Sequence, residues 1–109
     1  VRRRRSPPVD DRRIVRQPVD YRFLAEHAKF GEIDMHMANI SPHGFMVDQE
    51  PDLMPGERLT IRLPAIGRIE AHVVWRHGGR AGFQFERLIS PNDFANLIAT
   101  LGAEKPGPP

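Results

Sequence analysis

The chain contains no cysteine, which excludes disulfide frameworks, thiolate nucleophiles and zinc–thiolate centres. Serine is scarce: Ser6, Ser41 and Ser90 are the only three, and none sits in a nucleophile elbow or a recognisable pairing with a base. No apolar run approaches the roughly 20 residues a membrane-spanning helix needs, and there is no signal-peptide core. A soluble, cytoplasmic protein without a membrane span is expected. Five histidines are present, but none belongs to a pattern such as H-E-x-x-H. His27 is isolated, and strand alternation puts His36 and His72 on polar faces, where solvated side chains are the simpler reading. The acids are scattered over strands and turns. No catalytic residue, metal ligand or cofactor is expected, and the chain does not read as an enzyme.

What remains is 109 residues with eleven prolines, nine glycines and 39% hydrophobic side chains. That length suits one domain with a single modest core, built from short elements and many turns. The net charge is only +2, yet the isoelectric point is about 9.7. Fourteen of the sixteen basic residues are arginine, which does not titrate in the relevant range. Seven of them (Arg2, Arg3, Arg4, Arg5, Arg12, Arg13 and Arg16) crowd residues 1–16 against Asp10 and Asp11, a local charge of +5. Residues 17–109 carry −3. The chain is therefore a mildly acidic domain with a cationic arm. The arm lacks hydrophobic periodicity and contains Pro7-Pro8, so residues 1–10 are expected to be a flexible, disordered basic arm. Such an arm is either solvated or an anion-binding strap, and phosphate is the anion arginine suits best.

Beyond the arm the period is two. Val19, Tyr21, Phe23 and Ala25 alternate with polar residues, as do Ile33, Met35 and Met37. Asn39 to Gly44 is dense in turn formers and is expected to break the second strand sharply. Phe45-Met46-Val47 forms a short third strand. Leu59, Ile61 and Leu63, then Ile69, Ala71, Val73 and Trp75, then Ala81, Phe83 and Phe85 mark three more. Six short strands at regular spacing point to an antiparallel barrel or sandwich. Trp75, in phase with Val73, is expected to pack in the core or at a barrel mouth, and Met35 and Met37 to fill the core. The end of the chain changes period. Ser90-Pro91-Asn92-Asp93 offers a capping serine with proline at the first helical position. Phe94, Leu97, Ile98 and Leu101 follow helical spacing, and Gly102 supplies a stop, leaving 102–109 as a disordered tail.

Two motifs stand out. Arg12 and Arg16 form an RxxxR, of which chance alone supplies about two in this composition; Arg58/Arg62 and Arg76/Arg80 also fit. Asn39-Ile40-Ser41-Pro42-His43-Gly44 fits [DN]xSxxG, for which the chance expectation is roughly 0.02. An ordinary Asx or serine turn is the bland alternative.

At these residues the sequence resembles the PilZ domain family, bacterial receptors for the second messenger cyclic di-GMP. The family pattern runs from RxxxR on an N-terminal loop through a first strand to [DN]xSxxG after the second, then a late glycine–phenylalanine strand and a C-terminal helix. Here Arg12 and Arg16, Val19, Asn39, Ser41 and Gly44, and Gly82-Phe83-Gln84-Phe85 fall in that order. The resemblance covers residues 11–101 and picks out Arg12/Arg16, because only that pair precedes the first strand. It implies an all-β fold, a six-stranded antiparallel PilZ-like barrel with one C-terminal α-helix, and a nucleotide-binding role in second-messenger signalling.

The chemistry suits the ligand. Guanine presents O6 and N7 to a guanidinium fork, and phosphates accept the same donors. By resemblance Arg12 and Arg16 contact guanine and phosphate, while Asn39, Ser41 and Gly44 form the barrel-surface half of the site. The Asn39 amide oxygen can accept from guanine, though more weakly than a carboxylate. Arg13 and His43 are auxiliary candidates, for which exposed, solvated side chains are the simpler reading. Ligand binding that orders the strap would reach a protein effector partner. The rival reading is a ligand-independent protein-interaction adaptor, a degenerate member of the family. No specific nucleic-acid partner is expected, since the arm carries no interleaved aromatics and the remainder is acidic.

Overall fold

The computed structural model describes residues 16–104, with side chains through Leu101. The basic arm of residues 1–10, together with Arg12 and Arg13, lies outside the described residues, as do residues 105–109. The alternating segments become six strands: β1 (Gln17–His27), β2 (Gly31–Ile40), β3 (Gly44–Val47), β4 (Arg58–Leu63), β5 (Gly67–His77) and β6 (Arg80–Phe85). They close into a barrel in the order β1-β2-β3-β6-β5-β4, and every neighbouring pair is antiparallel. Closure removes free sheet edges, which a small β-protein must otherwise protect.

Alternation decides what fills the barrel. Phe23 and Ala25, Met35 and Met37, Leu59, Ile61 and Leu63, and Ile69, Ala71 and Val73 all point inward and are buried. Phe45 stacks on Phe83 with ring centroids 4.8 Å apart, and Phe23 meets Phe45 edge to face. The methionines at 35 and 37 are core residues, as their phase predicts.

The α-helix α1 (Pro91–Glu104) starts at the predicted cap. The Ser90 hydroxyl accepts the Asp93 N–H at 3.2 Å, and Pro91 occupies a position whose missing N–H costs nothing. Leu97 and Leu101 are buried in the same cluster as the barrel interior, with Phe94 and Ile98 packed partly against it. Gly102 does not stop the helix, which continues to Glu104. Glycine permits a left-handed cap without imposing one. Among the described residues no helix is long and apolar enough to cross a membrane.

Three register shifts interrupt the alternation. One falls between Pro18 and Tyr21 on β1, one between Met37 and Asn39 on β2, and one between Val73 and Trp75 on β5. Bulges of this kind re-aim the side chains that follow them. Two of the three matter for the site.

Candidate functional site

The motif turn is held from both sides. Asn39 and Ile40 still belong to β2, where Asn39 pairs with Pro18 and Met46, so the strand runs two residues further than turn-forming composition suggests. Chain reversal falls to Ser41–Gly44. The Ser41 N–H donates to the Gly44 carbonyl at 2.8 Å, and the Ser41 hydroxyl, 2% exposed, accepts the His43 N–H at 3.2 Å. The Pro42 and His43 carbonyls accept from Ile89 and Phe85. This turn is thereby tied to β6 and to the segment leading into α1.

Gly44 has a reason of its own. A Cβ built there would lie 2.0 Å from the Phe83 carbonyl oxygen and 3.0 Å from the Gln84 Cα. Only glycine lets β3 lie this close to β6. The residue is buried, and its demand for glycine comes from the sheet, where the sequence pointed to room for a ligand's approach.

Above the turn is an open cleft of about 180 Å³. Arg16, Ser41, His43, Gly44 and Met46 line it together with Val74, Trp75 and Gly82; no carboxylate lines it. Arg16 is exposed, and its Nη1 donates to the Asn39 Oδ1 across a long 3.5 Å. The Asn39 Nδ2 lies 3.8 Å from the Met46 sulfur. Arg16, Asn39, Ser41, Gly44 and His43 are thus gathered at one place, although 23 positions separate Arg16 from Asn39. Arg12 and Arg13 lie outside the described residues.

Trp75 is the residue that sequence reasoning missed. Expected inside on the phase of Val73, it is 41% exposed, because the β5 bulge puts Val74 and Trp75 both on the outer surface. Its indole rests on Gly82, where a Cβ would meet Nε1 at 2.2 Å. The indole N–H has no hydrogen-bond partner among the described residues. A guanidinium, an unpaired N–H donor and an exposed aromatic face around one cleft suit a planar, hydrogen-bonding anion. The only sequence signal was Gly82 itself, a glycine inside a strand, which often marks close approach by another group.

Three other histidines, His27, His36 and His72, are partnered. His36 is half-buried between Asp20, 2.6 Å from Nε2, and Asp48, 3.2 Å from Nδ1, in place of the solvated side chain expected. Because the two carboxylates take opposite ring nitrogens, they do not converge on a shared point, and among the described residues no group of three or more such side chains could hold a metal. His72 pairs with Glu86 at 2.9 Å. His27 accepts the Lys29 and Phe30 backbone N–H groups at Nδ1, which leaves its proton on Nε2, 2.7 Å from Glu57. The Met54 N–H and then His27 hold the Glu57 carboxyl below its ordinary value.

The family model described as PilZ domain matches residues 3–102. No curated protein matches the sequence. Among solved structures, the chain is similar to the PilZ domain of CeSA from a cellulose-synthesising bacterium, at 15% identity and a TM-score of 0.57 over 84% of this chain and 99% of that one. It is also similar to the Bacillus subtilis inhibitor of motility (MotI/DgrA), at 22% identity and a TM-score of 0.52 over 88% of this chain and 52% of that one. The chain therefore spans about half of the motility inhibitor. At such identities the likeness is one of fold.

Proposed function

The chain belongs to the PilZ domain family, and from that premise we propose that it is a receptor that binds cyclic di-GMP at the Arg16–Trp75 cleft. The family's domains are binding and regulatory modules, and this one acts by binding, without catalysis. The observation that carries the reading is the convergence of Arg16, the Ser41–Gly44 turn and the Trp75 indole on one cleft without a lining carboxylate, with Asn39 bonded to Arg16 beside it.

The cleft is smaller than the roughly 300–1,000 Å³ of a drug-sized pocket. It seats one guanine, stacked on Trp75, and the rest of the dinucleotide lies on the open surface. Arg16 and Arg12 close over the ligand from the arm side, their forks matched to the guanine Hoogsteen edge and to phosphate. Asn39 accepts from guanine, and its Oδ1, which accepts from Arg16, keeps that guanidinium beside the cleft. Arg13 and His43 stand at the rim of the binding scheme. Ligand contacts to the arm draw residues 1–16 toward the barrel, and a protein effector partner reads that change.

Isothermal titration tests the proposal. Wild-type protein binds cyclic di-GMP and melts at higher temperature with it than with GMP at equal concentration. Arg16→Ala weakens binding at least about tenfold, the loss of one charge-assisted contact. Wild-type protein that shows neither heat nor a thermal shift would refute the receptor reading and leave the ligand-independent adaptor.

A further inference from the structure

In the ring of strands, the seam where β1 meets β4 lies across the barrel from the β3–β6 seam that carries the cleft. Only one ladder pair joins β1 to β4, Glu26 with Thr60. Two like-charge pairs flank it. Glu26 stands directly opposite Glu32 in the β1–β2 register, and Arg62 directly opposite Arg68 in the β4–β5 register. Like charges facing each other across strands repel, so within one molecule each pair is an unfavourable choice. All four side chains are exposed. None reaches an ion-pair or hydrogen-bond partner among the described residues, so the acidic and basic pairs do not neutralise one another. Together they line a second cleft of about 210 Å³, and Leu24, 53% exposed, sits among them with Thr60.

The lining of this cleft thus holds an acidic pair, a basic pair and an exposed leucine. Such a patch is complementary to itself. A two-fold axis near Leu24 sets Glu26 and Glu32 of one copy against Arg62 and Arg68 of the other, and the reverse, while the two leucines cover each other. We infer that the β1–β4 seam is a homodimer interface, and that its partner is a second copy of this chain. Charge self-complementarity selects that partner: a copy answers both like-charge pairs at once, whereas a purely acidic or purely basic partner answers one and repels the other. Because the seam faces away from the Arg16–Trp75 cleft, both clefts of the dimer stay open at its outer ends.

Sedimentation velocity with charge-reversed variants tests this. Wild-type chain is expected to sediment as a dimer at sub-millimolar concentration and to dissociate as salt rises, since exposed ion pairs are screened. E26R/E32R has an all-basic patch and R62E/R68E an all-acidic one, so each alone is expected to be monomeric, with an unchanged circular dichroism spectrum. Their equimolar mixture is expected to recover the dimer, an outcome that misfolded variants would not give. Wild-type chain that stays monomeric overturns the inference, as does either variant that dimerises like wild type. A mixture that remains monomeric overturns it too, and would assign the seam to a different protein partner.

Discussion

Two glycines lie at the cleft for different physical reasons, and alanine at each separates fold from binding. At Gly44 the added Cβ would lie 2.0 Å from the Phe83 carbonyl oxygen. That obstacle is backbone, so β3 and β6 must part. β3 has only four residues, paired with Ala81–Gln84 on one side and with β2 on the other. Parting them weakens ladder hydrogen bonds worth about 1 kcal/mol each. It also loosens the Phe45–Phe83 stack, and overpacking strain itself costs about 1–3 kcal/mol. The expected loss is about 3 kcal/mol, a large share of the roughly 5–15 kcal/mol that holds a domain together. It corresponds to a fall of about 12–24 °C in Tm for a domain of this size. At Gly82 the obstacle is the Trp75 indole, a side chain 41% exposed that can swing into solvent. Gly82→Ala should therefore cost only about 1 kcal/mol of stability. The displaced indole, however, removes a stacking surface worth about 1–3 kcal/mol per base, or roughly 5–150-fold in affinity. Urea denaturation followed by circular dichroism gives the first quantity, and isothermal titration with cyclic di-GMP the second. Gly44→Ala that loses ligand but keeps its stability within about 1 kcal/mol would refute the packing account. Gly82→Ala that unfolds as readily as Gly44→Ala would show that the indole is structurally fixed.

Trp75→Ala should leave the urea midpoint nearly unchanged, because the ring lies outside the core, while weakening cyclic di-GMP binding by about tenfold or more in the same titration. An unaltered affinity would remove Trp75 from the site. Glu57 gives a pH dependence. Its folded-state value is held below the ordinary 4.5, first by the Met54 N–H and then by His27. Its stabilisation is therefore present above pH 4.5 and lost as pH falls through the lowered value. Thermal midpoints measured downward from neutral pH should fall less steeply below that point in Glu57→Gln; identical slopes would show that the carboxylate contributes nothing.

Elements governed by neighbours in sequence were the legible ones. Six strands follow from alternation that each segment carries within itself, and the start of α1 follows from a serine, a proline and an aspartate that act within four residues. The Asn39–Gly44 turn was recognisable as a turn, but not its true start at Ser41. Asparagine reads as a turn former, whereas in the folded chain ladder pairing to Pro18 and Met46 keeps it in β2. At Gly44 a further demand for glycine was not legible: nothing in its own neighbourhood reveals that Phe83, 39 positions away, leaves no room for a methyl group.

Trp75 shows why the cleft itself was hidden. Val73-Val74-Trp75 is a run of strand formers in which no residue type marks the extra position, so counting by two carries the tryptophan inward. The bulge moves it outward by one step, and a step of one residue exchanges the faces of a strand completely. The shift between Met37 and Asn39 acts likewise on β2, where Asn39 reaches Arg16. The exposed Trp75 and the Arg16–Asn39 contact thus both arise where the barrel departs from the regularity that made its strands readable. A β5 of unbroken alternation would carry Trp75 inward, in phase with Val73. It would bear no exposed indole beside the Arg16 guanidinium.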